Sequence, residues 1–263
     1  MGRLTSIEIC AGAGGQALGL EQAGFKHIAL IEIEPLACQT LKKNRPKWNV
    51  IQGDLKTFDA TTYKDQIDLV AGGVPCPPFS IAGKQLGDKD ERDLFPEALR
   101  IIKECNPKAV MLENVKGLLD PKFEDYRTNI IKSLHKLGYK AEWQLINASD
   151  FGVSQLRPRS VLIALKNNFY KNFVWPDKKP LKLKSVGDLL YDEMAQLGWE
   201  NVENWKAKAN GIAPTIVGGS KKHGGADLGP TRAKQAWLKL GVDGAGLADR
   251  PPINGYLGNP RLT

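Results

Sequence analysis

Cys76 stands in the stretch Gly72-Gly73-Val74-Pro75-Cys76-Pro77-Pro78-Phe79-Ser80, where three prolines restrict the backbone and withhold amide donors. A thiol on so stiff a loop, directly after an apolar run, is placed where a nucleophile would be. Most cysteines are small buried hydrophobes, and Cys10, Cys38 and Cys105 read that way because they are embedded in strand or helix patterns. Cys76 does not, since no apolar periodicity surrounds it. A second reactive group follows the apolar run Val110–Leu112, in Glu113-Asn114-Val115. A partly desolvated carboxyl there can hold a proton and hydrogen-bond a ring nitrogen. Gln155, Arg157 and Arg159 alternate at period two, so an extended segment would point all three the same way. Two guanidinium groups on one face suit phosphate or carboxylate recognition, although a solvated strand face would look the same.

Upstream, Ile7–Glu21 reads IEICAGAGGQALGLE and sets Gly12, Gly14 and Gly15 between a strand pattern and a helical one. Glycines there allow a tight turn and close backbone approach to a ligand facing the helix N-terminus. A glycine turn alone is a weak signal. Glu32 ends the next strand pattern, where a carboxylate can accept from ribose hydroxyls, and Asp54 ends a third, where it can accept from an adenine amino group. Three strand ends in this order describe a nucleoside crevice, which S-adenosylmethionine and NAD would fill equally well.

The elements that must carry these residues alternate. Strand patterns at Ser6–Cys10, His27–Ile33, Val50–Gln52, Leu69–Ala71, Val110–Leu112, Glu142–Asn147 and Ser160–Leu165 are interleaved with helical patterns at Ala17–Ala23, Pro35–Asn44, Phe95–Glu104 and Tyr126–Leu137. That alternation predicts an α/β fold with a doubly wound, largely parallel sheet. Residues 166–184 are polar, basic and proline-bearing and read as a linker, and the remainder reads as irregular.

The 263 residues carry a net charge of +8, which suits a polyanionic partner. Residues 178–263 hold 13 Lys/Arg against 8 Asp/Glu, so the excess lies towards the C-terminus. No apolar run approaches the ~20 residues that span a membrane, and the N-terminus lacks the pattern of a signal peptide. The chain therefore reads as cytoplasmic. Scattered cysteines without a CxxC pair argue against a zinc site or a disulfide framework, and three histidines leave little for a histidine-based triad.

Taken together, residues 4–165 resemble the cytosine-C5 DNA methyltransferase family, with its motifs in the family's order. AGAGG at 11–15 resembles the cofactor glycine motif, PCPPFS at 75–80 the nucleophile motif, Glu113-Asn114-Val115 the catalytic ENV, and Gln155 to Arg159 the QxRxR motif. The resemblance implies a Rossmann-like fold, S-adenosylmethionine as methyl donor and no metal. It implies cofactor contacts from Cys10, Ala11, Gly12, Ala13 and Gly15, from Glu32, Ile33, Asp54 and Leu55, and from Pro75 and Leu94. It further implies that Cys76 adds to C6 of cytosine, that Glu113 stabilises the adduct through N3 and the amino group, and that Arg159, with Arg157, anchors the pocket. A base stacked in duplex DNA must be flipped out to be reached.

Ser80, Lys84 and Gln155 are the implied DNA contacts near the site, and Ser80–Asp93 reads as a charged lid. Residues 1–176 would form the catalytic domain and 177–263 a linker with part of a target-recognition region. In it Lys221 and Lys222, after Thr215-Ile216-Val217, would approach duplex phosphates or base edges. Two departures stand out. Cys10 occupies a position commonly aromatic, and the family's later motifs are absent beyond Pro260-Arg261-Leu262-Thr263. A truncated chain, or a split member completed by a second polypeptide, is the expectation. Family habit adds a role in restriction–modification and association with the nucleoid. A transfer-RNA cytosine methyltransferase and an inactive DNA-binding subunit are the alternatives.

Overall fold

The computed structural model describes residues 2–75, 93–179, 182–217 and 226–263. These divide into two compact units, one of residues 1–145 and 159–175, the other of residues 146–158 and 176–263. The first unit is built on a seven-stranded sheet in the order β3-β2-β1-β4-β5-β7-β6. Its strands are β1 (Thr5–Ile9), β2 (Lys26–Glu32), β3 (Val50–Gln52), β4 (Leu69–Gly72), β5 (Ala109–Val115), β6 (Tyr139–Asn147) and β7 (Pro158–Lys166). β1 to β5 pair in parallel, and β7 runs antiparallel to β5.

Side-chain alternation along the central strands puts a helical layer on each face. Ile7, Ile9, Ile31, Val70, Val110 and Leu112 point into a core closed by α3 (Phe95–Cys105) and α4 (Glu124–Lys136). The other face sets Leu30, Leu69 and Ala71 against α1 (Gly15–Gln22) and α2 (Pro35–Asn44). α2 opens on Pro35, whose fixed φ and missing N–H suit the first helical position, and carries Lys42 and Lys43 in its last turn, where positive charge complements the dipole. α3 stops at Asn106, whose φ of 49° is the left-handed cap that asparagine tolerates. Strand order reverses beside β1, so a crevice opens at the carboxyl ends of β1 and its neighbours.

The expected α/β class is what the chain adopts, and β3 and α2 have the predicted bounds. The C-terminal part is not irregular. After the short α5 (Asn167–Tyr170), which falls in the expected linker, come α6 (Val186–Ala195), α7 (Val202–Lys208) and α8 (Thr231–Lys239). They enclose a second core of Met194, Trp199, Trp205, Trp237 and Val242. Ser185 and Asp188 form a reciprocal capping box on α6.

Candidate active site

The donor end is assembled at the carboxyl edge of β1, β2 and β3. After β1 the chain turns through Cys10 (φ 52°), Gly12 (φ 54°) and Gly14 (φ 91°). Left-handed backbone is open to glycine but strained for a cysteine. Gly14 is also sterically obliged: a Cβ there would lie 2.5 Å from Leu41 Cδ2. The Gly12 amide donates to Glu32 Oε2 (2.6 Å) and the Glu34 amide to Glu32 Oε1 (2.8 Å). Each carboxylate oxygen has a second lone pair, so Glu32 is oriented by the backbone yet keeps acceptor capacity. Asp54 Oδ1 accepts from the Lys56 amide (2.9 Å), which fixes it at the head of the one-turn helix Leu55–Thr57.

The three strand ends feel one another. Burial, followed by the charges of Glu32 and Asp54, pushes the Cys10 thiol up to about 12. Cys10 is therefore a neutral wall between two acids. The Cys38 thiol is raised chiefly by burial, and that of Cys105 to about 12. None of these three thiols has the lowered pKa of a reactive cysteine. Among the other expected donor contacts, Ala11 and Leu55 are buried, Ala13 and Gly15 exposed, and Ile33 is 62% exposed at the rim. Among the described residues, and apart from each glycine's own chain neighbours and helix backbone, no heavy atom lies within 4 Å of a Cβ built on Gly12, Gly15 or Gly53, so the floor between the acids is open there.

The reactive end lies along β4 and β5. Gly72 lets β4 lie hard against β1, since a Cβ on it would meet Ile9 O at 2.3 Å. Glu113 and Arg159 are diagonal neighbours across the β5–β7 ladder, where Glu113 faces Val161 and Val115 faces Arg159. Arg159 Nε holds Glu113 Oε1 at 2.5 Å. Oε2 lies towards Gly73, where a Cβ would be 3.5 Å away. The chain leading into residue 76 is held at two consecutive carbonyls: Asn114 Nδ2 donates to Val74 O (2.7 Å), and the Leu94 amide to Pro75 O (3.2 Å). Cys76, Ser80 and Lys84 lie outside the described residues, as do Lys221 and Lys222.

Two expectations are corrected. Gln155, Arg157 and Arg159 do not share a strand, because β7 begins only at Pro158. Gln155 instead bridges Ala213, and the Arg157 amide donates to Asn147 Oδ1 (2.9 Å). Both belong to the second unit, and only Arg159 reaches the first. Asp93, expected to end the lid, is 8% exposed and anchored: its carboxylate accepts from Tyr126 Oη (2.7 and 2.8 Å) and from the Phe95 amide (3.0 Å). The rest of the expected lid, residues 80–92, lies outside the described residues. The reading of the sequence also missed Asn114 as a clamp on Val74. The paired glycines at 72 and 73 were a usable signal of close approach, whereas nothing near Tyr126 in the chain announces its bond to Asp93.

A profile described as C-5 cytosine-specific DNA methylase matches residues 4–226. The type II methyltransferase M.NgoMIV of Neisseria gonorrhoeae is 56% identical over 99% of this chain and 83% of its own length. The type II methyltransferase M.NaeI of Lentzea aerocolonigenes is 55% identical over 100% of this chain, which spans only 64% of that longer relative. Among solved structures, a DNA modification methyltransferase encoded within an E. coli prophage superposes with a TM-score of 0.59 at 26% identity, covering 72% of this chain and 54% of that one.

Proposed function

Because the chain belongs to the C-5 cytosine-specific DNA methylase family, we propose that it methylates C5 of a flipped-out cytosine in duplex DNA, as the modification enzyme of a type II restriction–modification system. The observation that carries this reading is the convergence of Glu113, held by Arg159, with the pinned approach to Cys76 on the edge where Glu32 and Asp54 flank an open floor.

That floor fits an adenosyl group. Gly12 and Gly15 leave room for it, Glu32 keeps acceptor capacity for ribose hydroxyls, and Asp54 stands at the next strand end for the adenine amine. When bound, S-adenosylmethionine supplies an electrophilic sulfonium methyl. The chain's own residues have to turn C5, a poor nucleophile, into a good one. In this reading the Cys76 thiolate adds to C6, which converts the ring to an enamine and splits one hard step into easier ones. Glu113, its Oε1 held by Arg159, donates a proton from Oε2 to N3 and accepts from the amino group, so negative charge does not accumulate on the ring. Loss of the C5 proton then expels Cys76 and restores the base. The raised thiols of Cys10, Cys38 and Cys105 support this choice among the chain's four cysteines. The family description and both named relatives favour DNA over transfer RNA as substrate.

The test is a covalent trap. A duplex in which 5-fluorocytosine replaces the target base, incubated with protein and S-adenosylmethionine, should give a denaturation-resistant adduct, because the fluorine cannot leave as a proton does. Peptide mapping should place it on Cys76, and Cys76→Ser should form none while still binding S-adenosylhomocysteine. An adduct on another residue, or methylation by Cys76→Ser, would remove the nucleophile assignment.

A further inference from the structure

The chain between β3 and β4 contains only two one-turn helices, Leu55–Thr57 and Thr61–Tyr63, so its shape must be imposed from outside. Arg100 of α3 does this. Its Nη2 donates to Leu55 O (2.9 Å) and its Nη1 to Phe58 O (2.9 Å). The same guanidinium is itself fixed by Glu97 (Nε to Oε2, 2.7 Å) and Glu104 (Nη1 to Oε1, 2.8 Å), which sit one turn either side of it on the helix. Glu104 Oε2 then accepts from the Ala60 amide (3.0 Å). Residues 55, 58 and 60 are thus tied to one fork on one helix.

We propose that Arg100 is a positioning residue for the methyl donor: by clamping Leu55 and Phe58 it holds the Asp54 carboxylate at the end of β3, beside Cys10 and Glu32. The inference rests on the reading of Asp54 as the adenine acid. Ion pairs as exposed as these contribute little to stability, with Arg100 at 32% side-chain exposure. The fork geometry, in contrast, is specific to arginine, because a lysine supplies a point charge and cannot span two carbonyls and two carboxylates. Arg100 touches no substrate atom. It acts through the backbone on either side of the residue that does.

Calorimetric titration with S-adenosylhomocysteine tests this, on the wild type and on Arg100→Met, Arg100→Lys, Glu104→Gln and Asp54→Asn. Arg100→Met should bind about tenfold more weakly, with the KM for the methyl donor rising to match, while kcat at saturating donor and the affinity for duplex DNA stay within about twofold of wild type. Arg100→Lys should recover part of the loss, and Glu104→Gln should shift affinity in the same direction by less. Wild-type affinity in a folded Arg100→Met, with Asp54→Asn impaired, overturns the clamp and leaves the adenine assignment standing. Unchanged binding by Asp54→Asn overturns that assignment itself, and the clamp with it. Should Arg100→Met fail to fold, Glu104→Gln decides alone: weaker donor binding at unchanged DNA affinity supports the clamp, and wild-type donor affinity removes it.

Discussion

Glu8 is an acid in the middle of a central strand, 1% exposed, with Oε2 lacking a hydrogen-bond partner among the described residues. Burial raises its pKa from the ordinary 4.5 to about 8, against the opposing effect of a hydrogen bond from the Ala17 amide in the first turn of α1. The native state therefore holds a proton that the unfolded chain releases near 4.5, so stability is lost as pH rises through about 8. Glu8→Gln should flatten that loss. Thermal melts from about pH 6 to about pH 9 should show the wild-type midpoint falling and that of the variant nearly level; parallel curves would contradict the placement of Glu8. At the reactive end, Glu113→Gln keeps the shape of the side chain but removes its proton chemistry and its pairing with Arg159. Turnover should fall by about 10²- to 10⁴-fold at near-normal DNA affinity, as measured by single-turnover methyl transfer.

Among the elements, β4 is limited by sterics. Its terminal Gly72 lies where a Cβ would overlap both Ile9 O (2.3 Å) and Ile9 Cγ1 (2.5 Å). Gly72→Ala should cost about 1–3 kcal/mol in urea unfolding, the usual penalty of overpacking, and should lower activity further by displacing Gly73 from Glu113. The sheet was legible because strands buried on both faces read as short apolar runs between helical patterns. The acids at their ends were legible because parallel strands deliver their carboxyl termini to one edge. Gln155 and Arg157 misled for a physical reason. Pro158 can open a strand but cannot donate within one, and the partner of Gln155, Ala213, is far along the chain. The helices of the second unit escaped notice because α7 is a single short helix of mixed composition and α8 begins beyond a glycine-rich stretch. The Ser185–Asp188 capping box was the one local signal available.

For the molecule as a whole, the net charge of +8 predicts that DNA affinity falls steeply with salt. Binding isotherms across a salt series should give a linear log–log plot. If Lys221 and Lys222 neutralise phosphates, Lys221→Ala with Lys222→Ala should lower its slope by about one unit for each phosphate left without its lysine. An unchanged slope would place the phosphate-binding cations elsewhere.

The path of the chain between the two units bears on any attempt to retarget the enzyme. The chain between β6 and β7, with the last residues of β6 and the first of β7, groups with the C-terminal unit, and the first unit resumes at Arg159. There the Leu156 amide donates to Ala213 O (2.7 Å), the Ala213 amide to Ser154 O (3.2 Å), and Thr215 Oγ1 to Leu156 O (2.5 Å). A chimera that imports residues 176–263 from a relative would set foreign backbone against the native 154–156 strip and leave those amides to find new acceptors. Exchanging the C-terminal unit between relatives therefore calls for two cassettes, residues 146–158 and 176–263, not one, and hybrids carrying both should express as folded protein where single-cassette hybrids aggregate.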